Sequence, residues 1–248
     1  MKKILSFASF LYACLICSTA SAQEVDATNP MMLAGHPVSI GAKAGVGIGQ
    51  FTQPKSIMGA SVGGFARWEP LAFMDVQFDL LYEVSGGGRT DLRRDFGFLS
   101  NTPDEFFDLT YVNRYVLFHS IKNRLSARLS MPDFEGAAVR PRLIVGINNA
   151  VILAAWQHHD SYFAFENGNR IILSNQKENV GADYTKINLG GHLGFALDFN
   201  MPNGQMFTME LLYERGITDT NNILIGQPEN IETLRTQQLV WSFAYTLF

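Results

Sequence analysis

Hydrophobic and polar residues alternate with a period of two along most of the chain, which is the spacing of strands with one apolar and one polar face. From 38 to 50, Val38, Ile40, Ala42, Ala44, Val46 and Ile48 share one side, and Ser39, Gly41, Lys43, Gly45, Gly47 and Gly49 the other. Met58, Ala60, Val62, Ala66 and Trp68 alternate in the same way with Gly59, Ser61, Gly63, Phe65 and Arg67. Ala72, Met74, Val76, Phe78, Leu80 and Tyr82 oppose Asp75, Gln77, Asp79 and Glu83. Val139, Leu143, Val145 and Ile147 oppose Arg140, Arg142, Gly146 and Asn148. From 186 to 199, Ile187, Leu189, Leu193, Phe195, Leu197 and Phe199 oppose Lys186, Asn188, His192 and Asp198. Phe207, Met209, Leu211 and Tyr213 oppose Thr208, Glu210 and Glu214, and near the end Leu239, Trp241, Phe243, Tyr245 and Leu247 oppose Gln238, Ser242, Ala244 and Thr246. An eighth segment, about 109 to 121, is rich in strand formers but has two readable phases, switching at Arg114 and Tyr115 or at His119 and Ser120.

Eight amphipathic strands without a comparable helical stretch make an all-β protein. The links at 69–71, 131–136 and 200–204 are short or moderate. Those at 85–108, 156–183 and 216–235 are long and polar, with a shorter one at 51–57. Short turns on one side and long loops on the other, with an even strand number, describe an eight-stranded antiparallel transmembrane β-barrel of the bacterial outer membrane, with both chain ends on the periplasmic side. Closure removes the open edge that a membrane-spanning sheet cannot leave unpaired. The apolar face then meets lipid, with Trp68 at the periplasmic rim, Tyr82, Trp156 and Tyr213 at the outer rim, and Trp241 and Tyr245 as further interface aromatics.

The first residues fit export. Met1-Lys2-Lys3, an apolar run from Ile4 to about Ser18, and Ala20-Ser21-Ala22 read as a secretory signal peptide over 1–22, cleaved before Gln23. Residues 23–37 would then be a short periplasmic arm before a barrel at 38–248. The formal charge of −4, more negative by two once Lys2 and Lys3 are gone, offers no basic field for nucleic acid. Both cysteines, Cys14 and Cys17, fall inside the signal, so no disulfide, thiolate ligand or cysteine nucleophile is expected afterwards. Neither cysteine has the context of a lipoprotein acceptor.

Turned inward, the polar face places Lys43, Arg67, Arg140, Arg142 and Lys186 against Asp75, Asp79, Glu83, Asp198, Glu210 and Glu214, with His192 among them. An eight-stranded barrel has an interior that side chains fill, so five cations against six anions read as a self-neutralising plug. The competing reading is a narrow polar pathway for small solutes. No catalytic residue is assigned, and no metal or cofactor is expected. The run His158-His159-Asp160-Ser161 in the third long loop is the enzyme candidate, for a lipid- or peptide-modifying site at the outer rim, but catalytic groups normally converge from separated segments. As metal ligands, the two adjacent histidines would point to opposite faces of a strand. Gly86-Gly87-Gly88, followed by Arg89, Arg93 and Arg94, reads as a solvated loop or as a site for lipopolysaccharide phosphates. The glycines from 45 to 49 lack the strand-to-helix context of a nucleotide fingerprint. Tyr162, Phe163 and Phe165 beside Ile171, Ile172 and Leu173 suggest an extra hairpin above the membrane. A secreted, lipocalin-like barrel would bury the apolar face instead, with too many bulky residues for so small a cavity.

The chain resembles the small glycine-rich outer-membrane barrels that include the PorT-like proteins and, more loosely, the OmpA and OmpX type. Gly41 to Gly47, Arg140-Pro141-Arg142-Leu143-Ile144-Val145-Gly146, Glu210 to Thr218 and the terminal Phe248 carry the resemblance. It implies insertion by the barrel-assembly machinery and raises an accessory role in protein secretion. The expected protein is non-enzymatic, in contact with outer-membrane lipid and lipopolysaccharide, and offers its long loops to a protein partner or surface ligand.

Overall fold

The computed structural model describes residues 31–51, 55–88, 108–131, 137–164, 170–201, 204–220 and 235–247, by backbone alone at 108–114, 161–164 and 170–175. The expected signal peptide, most of the arm, both cysteines, Arg89, Arg93, Arg94, Phe165 and Phe248 lie outside the described residues. The strands are β1 (Met32–Leu33), β2 (His36–Gln50), β3 (Ile57–Leu71), β4 (Met74–Gly88), β5 (Asp108–Ser130), β6 (Val139–Ala164), β7 (Arg170–Asn179), β8 (Ile187–Asn200), β9 (Met206–Gly216) and β10 (Gln237–Thr246). Eight of them, all but β1 and β7, close into an antiparallel barrel, because β2 pairs with both β10 and β3.

The register fixes the barrel's geometry. One row of paired residues runs from Ile40 through Ala66, Phe78, Leu125, Ile147, Gly191, Arg215 and Gln237 and returns to β2 at Gln50, ten positions from its start. A stagger of ten over eight strands, at a rise of about 3.3 Å per residue and a strand spacing of about 4.8 Å, tilts the strands by about 40°. Alternation then sorts the side chains. Val46, Phe78, Leu125, Ile147, Leu193, Leu211 and Trp241 stand exposed on the outer surface of seven different strands, and the polar series points inward. Small residues admit the large inward groups: a Cβ on Gly41 would lie 2.5 Å from the Phe65 ring, and one on Gly146 would lie 2.7 Å from the His192 ring.

Three expectations need correction. Strand β5 continues to Ser130, nine residues past the expected end, with Ser120, Lys122, Arg124, Ser126 and Arg128 inward and Ile121 and Leu125 outward. Its register to β6 shifts between Val112 and Tyr115 and again at His119, the two places where the phase is ambiguous in the sequence. Strand β6 does not give way to a loop at Trp156 but runs to Ala164. The shift at Leu153, opposite the step from His119 to Ser120, is a bulge that lets an unbroken apolar run remain a strand. Gly86, Gly87 and Gly88 are not a solvated loop: they end β4, pair with Leu117, Val116 and Tyr115, and are buried. Side chains there would strike Val116, Phe51 and Lys55.

Smaller differences follow from hydrogen bonding. The turn expected at 69–71 lies at Ala72 and Phe73, since β3 pairs as far as Leu71. Strand β2 starts at His36 after a tight turn through Ala34 (φ 53°) and Gly35 (φ 82°) that folds β1 back on it.

Strands β5 and β6 have 23 and 26 residues against 15 in β2, β3 and β4. β6 pairs with β8 only as far as Val151, and from Trp156 to Ala164 its partner on that side is β7. Residues 152–164 therefore extend the β6 axis by roughly 40 Å beyond the last pairing with β8. They form a raised hairpin with β7, carrying the segments around Tyr162 and Ile171 in mutual register.

Candidate functional site

The interior is filled by ion pairs together with a small buried apolar cluster of Ile144, Ala196, Leu212 and Val240. Near the Ala72–Phe73 turn, Asp198 Oδ1 accepts from Arg128 Nη2 at 2.6 Å and from Thr208 Oγ1 at 2.7 Å, and its Oδ2 accepts from Arg142 Nε at 3.1 Å. Asp75 lies 3.4 Å from Arg142, 3.5 Å from Arg128 and 3.9 Å from Arg67. The Arg67 guanidinium lies over the Phe65 ring and donates twice to Gln77 Oε1, at 2.9 and 3.1 Å, while Gln77 Nε2 donates to Asp79 at 2.7 Å. Lys43 sits between Asp79 (2.6 Å) and Glu210 (2.5 Å) at mid-height. Toward the other end, Lys122 contacts Glu83 at 2.5 Å and Glu214 at 2.8 Å, and Arg124 Nη2 lies 2.6 Å from Glu214. Gln238 Nε2 donates to Glu214 at 2.7 Å.

The sum is balanced. Among the described residues, Lys43, Arg67, Lys122, Arg124, Arg128 and Arg142 are the buried lysines and arginines, and Asp75, Asp79, Glu83, Asp198, Glu210 and Glu214 the buried carboxylates. The sequence-based count of five against six included two cations that do not join. Lys186 is exposed, one residue before β8 begins, and Arg140 is half-buried at the barrel end. It missed three, Lys122, Arg124 and Arg128, all on β5, whose phase was undecided. Extending the alternation of Ser120, Lys122, Arg124, Ser126 and Arg128 past residue 121 would have found them.

Beyond the top ion pairs the lumen changes character. Phe51, Val116, Phe118, Ile152, Ala155, Val180 and Tyr184 form a buried apolar cluster, with Phe118 edge-on to Phe51 at 5.6 Å and to Tyr184 at 4.9 Å. Phe51 and Tyr184 come from connections between barrel strands, so the mouth is stopped by segments laid into it. Beneath the stopper, a cavity of about 30 Å³ is lined by Glu83, Ser120, Lys122, Glu214, Gln238 and their neighbours, room for about one water.

The enzyme candidates separate. His158 and His159 lie on β6, not in a loop, and face opposite ways. His159 is buried, with its Nδ1 3.2 Å from Gln157 Nε2, and half-buried His158 stacks on Tyr115 at 5.0 Å with an interplanar angle of 4°. Asp160 is half-buried on the His158 side, and Ser161 is described by its backbone only. A different hydroxyl–imidazole pair exists inside: Ser126 Oγ lies 2.8 Å from His192 Nε2, the spacing of a nucleophile and its base. Both side chains are buried, and among the described residues His192 Nδ1 has no hydrogen-bond partner, so the third group that would orient the imidazole on its far side is missing. Sequence reading misses this pair because Ser126 lies past residue 121, where the strand was expected to end. Among the described residues, no three His, Cys, Asp or Glu groups converge as metal ligands.

The aromatics divide between the two ends. Trp68 Nε1 donates to Leu33 O at 3.2 Å, and Tyr245 bonds Gln205 beside the Met201–Gly204 turn; both mark the end with the short turns. Tyr82, bonded to His119 Nδ1 at 2.7 Å, faces outward toward the opposite end, whereas Tyr213, expected at the outer rim, is paired with Leu193 and Leu239 and faces outward part-way along the barrel. Trp241 stands midway along β10 rather than at a rim, and Trp156 lies past the last β6–β8 pair with Lys177 Nζ 4.3 Å from its ring.

The chain matches no protein-family model and no curated protein. Among solved structures it is similar to Neisserial surface protein A, at 12% identity over 84% of this chain and 97% of that one, with a TM-score of 0.39. It is also similar to a major outer membrane protein from Thermus thermophilus, at 11% identity over 84% and 100% of the two chains, TM-score 0.39. A third is Ail, the attachment invasion locus protein of Yersinia pestis, at 11% identity over 85% and 97%, TM-score 0.35. The eight closed antiparallel strands agree with the OmpA- and OmpX-type part of the resemblance.

Proposed function

We propose that this chain is an outer-membrane β-barrel that neither conducts solutes nor catalyses a reaction, and that it acts through the raised β6–β7 hairpin and neighbouring loops. The observation that carries this reading is the double seal of the lumen, six cations interlocked with six carboxylates beneath an apolar stopper. A polar pathway needs continuous space, and an enzyme needs a cleft beside its reactive groups. Among the described residues, the buried charges adjoin a cavity of only about 30 Å³. The partner would be a protein, a surface ligand or lipopolysaccharide. The PorT-like resemblance adds accessory work in protein secretion, in which case the partner is a component or cargo of a secretion complex.

Two measurements on the reconstituted protein test this. In planar bilayers the folded chain is expected to give no steady conductance at either polarity; steady current that shifts in Glu210→Gln would make it a pore. Replacing residues 157–178 with a short turn is expected to preserve the heat-dependent mobility shift of the barrel in mild SDS while abolishing partner co-purification. Retained partners would take the function away from the hairpin.

A further inference from the structure

Of the walls at the hairpin end, that formed by β4, β5, β6 and β7 differs from the rest in its outward side chains. Tyr82 is bonded to His119, Tyr115 is stacked on His158, and Trp156 carries Lys177 over its ring. The register makes these pairs one surface: Val84 opposes His119, Gly88 opposes Tyr115, Tyr115 opposes His158, Leu117 opposes Trp156, and His158 opposes Lys177. Among the described residues elsewhere on the outer face, Trp241 and Phe207 each stack on Phe243, Phe199 lies tilted against Phe207, and at the short-turn end Trp68 meets His36 edge-on with its indole N–H donated to Leu33 O.

Below the patch the same wall is apolar and exposed, with Leu80, Leu125, Ile147 and Val151 outward. A lipid lying along that wall with its chains on these residues places its headgroup against the rings, the imidazoles and Lys177. Flat aromatic faces suit the carbon faces of sugars, and an ammonium with imidazoles suits phosphate. Asp160, two residues past His158, lies farther from the apolar wall.

We propose that this patch is a binding site for the phosphorylated sugar headgroup of an outer-leaflet glycolipid. It rests on the outer-membrane reading with the hairpin end facing outward, and it specifies one ligand class for that end. Trp156 and Lys177 form its centre, because the ring holds the ammonium at the edge of the apolar wall. The stacked His158 and Tyr115 form one flank, and Tyr82 with His119 the other.

The test is native mass spectrometry of the folded barrel, extracted from bilayers containing lipid A with both phosphates, the same glycolipid without phosphates, or phosphatidylglycerol. The phosphorylated glycolipid is expected to be retained in preference to the other two. Lys177→Gln and Trp156→Ala should each reduce retention by about tenfold, with Trp241→Phe unchanged. Equal retention of the dephosphorylated glycolipid or of phosphatidylglycerol, or undiminished retention in Lys177→Gln, overturns the proposal. The mobility shift in mild SDS is read on each sample. A shifted, folded barrel without preferential retention defeats this site alone, whereas a chain with no shift in any lipid defeats the membrane reading with it.

Discussion

Asp198→Ala is expected to destabilise the barrel by about 3–5 kcal/mol, because it strands buried cations rather than removing one exposed contact. Asp198 is fully buried and accepts from Arg128, Arg142 and Thr208, with Arg67 4.0 Å away. Without it, three guanidinium groups would share Asp75 as their nearest carboxylate, in an interior with little room for water. The cost is therefore that of unpaired buried charge, which exceeds the modest net value of an intact pair. Asp198→Asn keeps the shape but not the charge, and should lose nearly as much. Arg140→Leu, on a half-buried side chain at the barrel end, should change stability by less than about 1 kcal/mol. Urea titrations of vesicle-reconstituted protein, read as the fraction of the heat-shifted band, supply the comparison. If Asp198→Ala unfolds at the same urea concentration as Arg140→Leu, the interlocked plug is not what holds the lumen together.

Where an inner face is mostly polar, the sequence is enough to reveal it. In β4 the alternation of Asp75, Gln77, Asp79 and Glu83 with Val76, Phe78, Leu80 and Tyr82 is nearly unbroken, and all eight residues point as expected. β5 was harder because its inner face changes chemistry part-way. Val116 and Phe118 face the apolar stopper, then Ser120, Lys122, Arg124, Ser126 and Arg128 face the ion pairs. Period-two reading looks for one polar side, and a strand that crosses from an apolar cap to a charged lumen has none. The same boundary hid the upper part of β6: Ile152 and Ala155 face the stopper, Leu153 is a bulge between the paired Ile152 and Ala154, and the run reads as featureless apolar sequence.

The stopper itself was illegible for another reason. Phe51 and Tyr184 stand in connections, where an aromatic residue carries no periodic signal, and only the closed barrel shows that both segments enter one mouth. The lipid-proximal patch is intermediate. Tyr82 and Trp156 were identifiable as interface aromatics, but their partners His119 and Lys177 lie on other strands, brought across by registers that no alternation pattern reveals.

Leu193→Arg separates a membrane-embedded wall from a barrel surrounded by water. Leu193 lies in the interior of β8, faces outward with 57% of its surface exposed, and has Val145 and Tyr213 as its paired neighbours. In water, an outward Leu→Arg at such a position costs within about 0.5 kcal/mol, since a long cationic side chain is well solvated there. In a bilayer the guanidinium must leave water or drag it in, and the penalty rises to about 2–4 kcal/mol near the midplane of a transmembrane barrel. The size of the effect therefore reports the solvent on that face. A graded series strengthens the inference, because the penalty depends on depth. Arg at Leu193 should cost most, and Arg at Ile187, at the end of the same strand nearer the hairpin, should cost about 0–1 kcal/mol. Unfolding free energies in vesicles give the two values. A flat profile, with both variants as stable as the parent chain, would mean that the apolar belt faces water and that its exposed Leu, Ile and Phe residues must be covered by something other than lipid.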